Sequence, residues 1–255
     1  MADWNPGKYQ RFADLRLRPA LDLIAAIPAL PEGNIVDLGC GAGAVAADLA
    51  EQFAGRDLVG VDSSATMLAK AQQLGLYARL DQADIALWRP CSSPALIYSN
   101  AALHWVPDHA ALLPALVQSL PPGGVLAVQV PYQNPAPSHR TWVALAEQLF
   151  PGRVDMGKGP GILTPEAYFD ILSPLGQPRI WQTEYLQRLT PVATGHPVRH
   201  FTESTFARPI LTALEEPEQA ALIHAYETAM AEAYPLRADG SVLFPFRRLF
   251  FTLQR

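Results

Sequence analysis

The chain has 255 residues, is 49% hydrophobic and carries a formal net charge of −5, enough length for one large α/β domain or a domain with a cap. The acidic balance and the lack of a basic run argue against nucleic acid, which requires a clustered cationic face, and no apolar run reaches membrane-spanning length. Two cysteines, Cys40 and Cys91, provide neither a disulfide framework nor a zinc spacing, and the opening Met1-Ala2-Asp3-Trp4-Asn5-Pro6 lacks a basic-then-apolar signal, so a soluble cytoplasmic protein without metal is expected, with a monomer favoured.

An N-terminal arm over 1–30 comes first. Its aromatics Trp4, Tyr9 and Phe12 precede a helical pattern carrying Leu15, Leu21, Leu23, Ile24 and Ile27, which Pro28 and Pro31 end. The arm either packs on the domain or lines a pocket wall. An apolar run at 35–39 then feeds a glycine-rich turn and a predicted helix over 43–53. Strands are predicted at 57–62, at 77–80, at 94–100 and at 125–130. Helices separate them, one around Met67, Leu68 and Ala71 capped by Ser63 or Ser64, another starting at Pro107. Strands alternating with helices imply a parallel sheet with right-handed crossovers.

Beyond Pro131 the pattern loosens. A helix is predicted over 139–150, a glycine-rich surface loop over 152–161 that is either a lid or an inert turn, and another helix from Thr164 to Leu175. Residues 179–189 and 244–253 read as the last two strands. The mostly helical stretch between them, about 191–240, reads as an inserted cap. The expectation is one domain over 1–255: a doubly wound, Rossmann-like, mostly parallel seven-stranded sheet with a helical cap near the C-terminus.

The chemistry concentrates at strand ends. Asp37-Leu38-Gly39-Cys40-Gly41-Ala42-Gly43 follows the first apolar run; glycines there allow positive φ and close backbone approach, and the following helix terminus favours an anionic group. Asp62 ends the next strand, where a carboxylate accepts from ribose hydroxyls. Asp84 follows the third strand, where one can accept from an adenine amino group. Asp37, two residues before the first glycine, can orient the loop or lie near a cofactor's cationic methionine end. The set points to S-adenosylmethionine. The same glycines also satisfy a loose dinucleotide fingerprint, which keeps a nicotinamide-dependent oxidoreductase open. Ligands of such sheets bind at the carboxyl ends of the strands, so His104 and Trp105, just past the fourth strand, are expected catalytic neighbours of a transferred methyl group.

The motif set resembles class I methyltransferases. Over the whole chain, it is similar to the trans-aconitate 2-methyltransferase family, through Asp3-Trp4-Asn5-Pro6-x-x-Tyr9-x-x-Phe12, Val36-Asp37-Leu38-Gly39-Cys40-Gly41, Gly60-Val61-Asp62-Ser63-Ser64-x-x-Met67-Leu68-Ala69, Ala83-Asp84-Ile85, Asn100-Ala101-x-Leu103-His104-Trp105-x-Pro107-Asp108-His109 and Gly124-Val125-Leu126-Ala127-Val128-Gln129. That resemblance implies methyl-ester formation on a tricarboxylate. It implies cofactor contacts from Asp37, Gly39, Cys40, Gly41, Asp62, Ser63, Met67, Asp84, Ile85 and Asn100. Substrate contacts are expected from Trp4, Tyr9 and His104, with Arg199 and Arg247 as guanidinium forks matched to carboxylates. A methyltransferase for another small acceptor, and a cofactor-binding module without turnover, remain open on the sequence.

Overall fold

A computed structural model describes residues 13–154 and 161–255, with side chains from residue 17 onward. The chain forms two compact units. The first takes in residues 13–131, 161–183 and Leu249–Arg255; the second takes in 132–154 and Glu184–Arg248. The expected arm residues Trp4 and Tyr9, and residues 155–160 of the glycine-rich stretch, lie outside the described residues.

In the first unit, α1 (Ala13–Ala25) leads to β1 (Ile35–Leu38), α2 (Ala46–Gln52), β2 (Leu58–Asp62), α3 (Ala65–Gln72), β3 (Arg79–Gln82) and β4 (Leu96–Asn100). A 3-10 turn at Leu103–Trp105, α4 (His109–Ser119) and β5 (Val125–Pro131) follow. β1, β4 and β5 are buried along nearly their whole length, which is why they read as continuous apolar runs rather than alternating ones. Registers are parallel throughout this half: Ile35 lies beside Leu58 and Leu96, Leu96 beside Val125, and Val61 beside Asp81.

The full strand order is β3-β2-β1-β4-β5-β7-β6, with β6 spanning Gln177–Leu189 and β7 spanning Val242–Gln254. β7 runs antiparallel to β5. Gly123 N–H donates to Arg255 O at 2.8 Å and Arg255 N–H to Gly124 O at 3.0 Å, whereas Tyr132, further up β5's side, pairs with Arg247, further back in β7, at 2.9 Å. Trp181 stacks on Phe250 with centroids 5.1 Å apart, joining the two last strands within the first unit. The chain builds β1, β2 and β3 in one direction and then restarts at β4 on the other side of β1. That reversal opens a crevice at the carboxyl ends of β1 and β4.

Two differences from the sequence expectation bear on the site. The helix predicted from residue 43 begins only at Ala46, because Gly41 (φ +55°) and Gly43 (φ +80°) hold left-handed backbone that cannot enter an α-helix. Tyr77 precedes β3 rather than opening it.

The second unit holds α5 (Pro137–Leu149), α7 (Pro197–Glu203), α8 (Arg208–Thr212) and α9 (Glu216–Ala233), while α6 (Pro165–Leu172) belongs to the first. Its core is an aromatic and hydroxyl cluster. Trp142 stacks on Tyr226 at 3.7 Å, Trp142 Nε1 donates to Thr202 Oγ1 at 2.9 Å, and Tyr226 OH donates to Ser138 O at 2.7 Å. Every polar atom brought inside by these large rings meets a partner, so each ring's apolar burial, about 1.5–3 kcal/mol, is not offset by an orphaned group. α9 begins with a reciprocal capping box between Glu215 and Glu218.

Candidate active site

The glycine loop after β1 is tied down by its own amides. Gly39 N–H and Cys40 N–H both donate to Val61 O, at 2.7 and 3.0 Å, Gly43 N–H donates to Cys40 O at 2.9 Å, and Gly41 N–H donates to Asp62 Oδ2 at 2.9 Å. These four amides therefore point into the protein. With α2 starting at Ala46, the helix terminus stands three residues beyond the glycine turn, and the amides of Gly39, Cys40, Gly41 and Gly43 are engaged within the protein. Gly39 is required by packing as well as by φ (+83°), since a Cβ there would overlap the Ala102 methyl group of the loop after β4 and press on Ile85. The space beside Gly41 is open, with no atom within 4 Å of where its Cβ would stand.

Asp62 bridges two backbone segments. Its Oδ2 takes the Gly41 N–H and its Oδ1 takes the Ser64 N–H at 2.8 Å. Each oxygen keeps a second lone-pair direction, so the carboxylate still has acceptor capacity for a pair of vicinal hydroxyls. Ser64, and not Ser63, caps α3 by accepting from Met67 N–H at 3.3 Å; Ser63 is exposed at the turn and Met67 half-buried in the first turn of the helix. Asp84 closes a local turn onto Ala86 N–H at 2.9 Å and is exposed, with Ile85 beside it against the Gly39 position.

Asp37 is almost fully buried at 2% exposure. Burial pushes its carboxyl up to about 7; the Tyr77 hydroxyl, donating to Asp37 Oδ2 at 2.7 Å, pulls it down, and the charge of Asp62 raises it further. A cation arriving at this carboxyl would favour its ionised form. Cys40 is buried beside it; burial and the neighbouring carboxylates push the thiol above its ordinary range, so it fills space rather than acting as a nucleophile. Tyr77 was not among the sequence-derived site residues. Its role depends on a contact forty positions away along the chain, which local pattern does not carry.

The loop after β4 is held from behind. Ser99 Oγ donates to Leu38 O at 2.7 Å, and Ala101 adopts φ +51°, a left-handed conformation rare for alanine. His109 Nε2 lies 2.8 Å from Leu103 O, an acceptor only, so this nitrogen carries the proton and Nδ1 accepts from Tyr168 OH at 2.7 Å. Burial lowers the His109 pKa, which keeps that arrangement neutral. On this support the 3-10 turn buries His104 and leaves the Trp105 ring 62% exposed, their centroids 4.5 Å apart. Asn100, the last residue of β4, has a buried Oδ1 without a hydrogen-bond partner among the described residues.

Asp37, Gly39, Cys40, Gly41, Asp62 and Asn100 thus lie at the carboxyl ends of β1, β2 and β4 in the first unit. The two expected arginines lie in the second. Arg199 Nε donates to Glu227 at 2.9 Å and its Nη1 to Glu203 at 2.5 Å; Arg247 Nε donates to Glu184 at 3.2 Å. Both forks already meet carboxylates of their own unit. Among the described residues there is no cluster of metal-binding side chains, and no helix is long and apolar enough to cross a membrane.

An adenosine-bearing cation fits this site: an open glycine edge, a carboxylate with spare acceptor capacity at Asp62, an ionisable carboxyl at Asp37 and, among the described residues, an unmatched acceptor at Asn100. The strand order and the loop are those of a class I S-adenosylmethionine-dependent methyltransferase. A family model described as a methyltransferase domain matches residues 9–176. The chain is 39% identical to a trans-aconitate 2-methyltransferase from Paracidovorax citrulli, covering 100% of this chain and 99% of that one, and 40% identical to a trans-aconitate 2-methyltransferase from Azoarcus sp. over the full length of both. The crystal structure of YcgJ from Bacillus subtilis superposes with a TM-score of 0.61 over 94% of this chain and 98% of that one; at 15% identity it speaks to the fold alone. The chain belongs to the trans-aconitate 2-methyltransferase family.

Proposed function

We propose that the chain transfers a methyl group to a carboxylate of trans-aconitate, giving a monomethyl ester. The reading rests on full-length identity of about two residues in five with trans-aconitate 2-methyltransferases. S-adenosylmethionine, when bound, supplies a methyl group on a sulfonium, so that an oxygen–carbon bond forms as a sulfur–carbon bond breaks and no proton need leave.

The residues then have simple tasks. Asp62 accepts from the ribose hydroxyls, Asp37 faces the cationic methionine end, and Asp84 and Ile85 border the adenine. Gly39, Cys40 and Gly41 form the edge along which the cofactor lies, with Ser63 and Met67 next to the ribose side and Asn100 accepting from the methionine portion. His104 and Trp105 flank the acceptor, and the family resemblance adds Trp4 and Tyr9. An ionised carboxylate is already a nucleophile, so no general base is needed; what remains is alignment, which can lower a barrier by about 7–11 kcal/mol.

The test is transfer of labelled methyl from S-adenosylmethionine to a panel of trans-aconitate, cis-aconitate, isocitrate and citrate, followed by mild base. Base-labile label strongest on trans-aconitate supports the reading. Label that survives base, or none on any acid while the cofactor binds, defeats it and directs the search to another acceptor.

A further inference from the structure

β4 and β5 end side by side. Asn100 is the register partner of Gln129, and Ala101 N–H donates to Gln129 O at 2.9 Å. Register partners in neighbouring strands project from the same face of a sheet, as do residues two apart in one strand. Tyr98, two residues before Asn100, reaches Ala20 O of α1 at 3.1 Å. Asn100 and Gln129 therefore share the α1 face at the carboxyl ends of the strands, next to the loop that carries His104.

Gln129 is fully buried in a strand that is otherwise apolar from Val125 to Val130. Among the described residues neither its Oε1 nor its Nε2 has a hydrogen-bond partner, and neither does Asn100 Oδ1 alongside. Three unmatched polar atoms on adjacent strands are a rare local concentration, since buried side-chain polar groups are overwhelmingly paired. Gln133, four residues on, shows how this protein treats a structural glutamine: its Nε2 donates to Pro245 O at 3.1 Å and its Oε1 accepts from Arg247 N–H at 3.0 Å. Gln129 lacks such partners although it is equally enclosed. An amide left unmatched inside a fold is accounted for when a ligand completes it.

We propose that Gln129 binds the acceptor, its Nε2 donating to a carboxylate oxygen of a polycarboxylic acid. The inference rests on the carboxylate reading above. Charge selects the amide orientation, because Nε2–H attracts a carboxylate and Oε1 repels it. It also accounts for an acid being bound in this unit where Arg199 and Arg247 are already paired in the other. A neutral donor holds the acid without forming an ion pair that would blunt its nucleophilic oxygen.

Two variants of the full chain test this: Gln129→Met, which keeps length and removes polarity, and Gln129→Glu, which puts a carboxylate against the acid. For Gln129→Met the KM for trans-aconitate should rise by roughly 10- to 100-fold, the effect of one lost hydrogen bond to a charged group. S-adenosylhomocysteine affinity, read by calorimetry without acid, should stay within about twofold of wild type. Gln129→Glu should raise KM further. The melting temperature of ligand-free Gln129→Met should hold or rise, by about 2–4 °C, because an unmatched amide has been removed. An unchanged KM in either folded variant overturns the proposal, as does lost S-adenosylhomocysteine binding with acid KM intact. A lower melting temperature with unchanged KM would make Gln129 a structural residue and overturn it too. Wild-type protein that methylates no acid in the panel overturns the carboxylate reading and this proposal together; wild-type transfer with unaffected variants overturns this proposal alone.

Discussion

Replacing Tyr77 with Phe removes one hydroxyl and leaves the ring that packs against Gly43 and Gly60 in place. That hydroxyl donates to Asp37 Oδ2 at 2.7 Å and lowers a carboxyl that burial has pushed up to about 7. A hydrogen bond to a charged group contributes about 1.5–3 kcal/mol, equivalent to about 1–2 pKa units. Taking the smaller figure, the ionised share of Asp37 at neutral pH falls from about half to about a tenth. If the ionised carboxyl is the form that holds a cationic donor, S-adenosylmethionine affinity at about pH 7 falls about fivefold, and the loss shrinks towards about pH 8.5, where both proteins are ionised. Calorimetric titrations across that range read both. Stability moves with the same group. Because the folded-state pKa is raised, its contribution is present below the ordinary carboxylate value and lost as pH rises through about 7; ligand-free Tyr77→Phe should lose melting temperature further up that range than wild type. An affinity curve with an unmoved midpoint, or an equal loss at all pH values, would refute the link between Tyr77 and Asp37.

Three further outcomes are expected. Asp62→Ala removes the acceptor of Gly41 N–H and Ser64 N–H, so S-adenosylhomocysteine affinity should fall by at least about 1.5–3 kcal/mol; calorimetry showing wild-type affinity would exclude Asp62 from the site. Gly39→Ala combines a left-handed φ with overlap on Ala102 and should cost about 1–3 kcal/mol from strain alone, with thermal denaturation showing partial recovery in the Gly39→Ala/Ala102→Gly double variant. His104→Ala should lower kcat about tenfold or more while S-adenosylhomocysteine affinity changes less than about twofold; wild-type kinetics would place His104 outside the acceptor region.

The first half of the fold was legible because its strands are buried on both faces. Ile35–Leu38, Leu58–Val61 and Leu96–Ser99 show as short apolar runs, and a glycine turn or a carboxylate marks the end of the first two. Asp37 and Asp62 could be picked out from those runs, and Asp84 from its place just after the short, less buried third strand. The same burial hid Gln129: in a strand without polar alternation, one polar residue gives no phase from which to read its direction. Tyr77 was hidden by sequence distance from Asp37. The start of α2 was misread since the alanine-rich composition of 44–53 favours helix, whereas Gly41 and Gly43 hold positive φ and delay it. For Arg199 and Arg247 the sequence leaves a surface ion pair or a substrate carboxylate open, because Glu203, Glu227 and Glu184 come beside them only on folding.

The contact between Gly39 and Ala102 bears on how this enzyme could acquire a different acceptor. The segment from Ala101 to Trp105 is the natural place to vary, being short, surface-reaching and, in the proposed function, next to the transferred group. Yet its second residue lies where a Gly39 side chain would have to be. A larger residue at 102 would push on the cofactor loop before it touched any acceptor. Libraries aimed at new acids should therefore hold position 102 at alanine or glycine and vary 103–105. Variants that violate this will show up as losses of methyl donor rather than as changes of substrate.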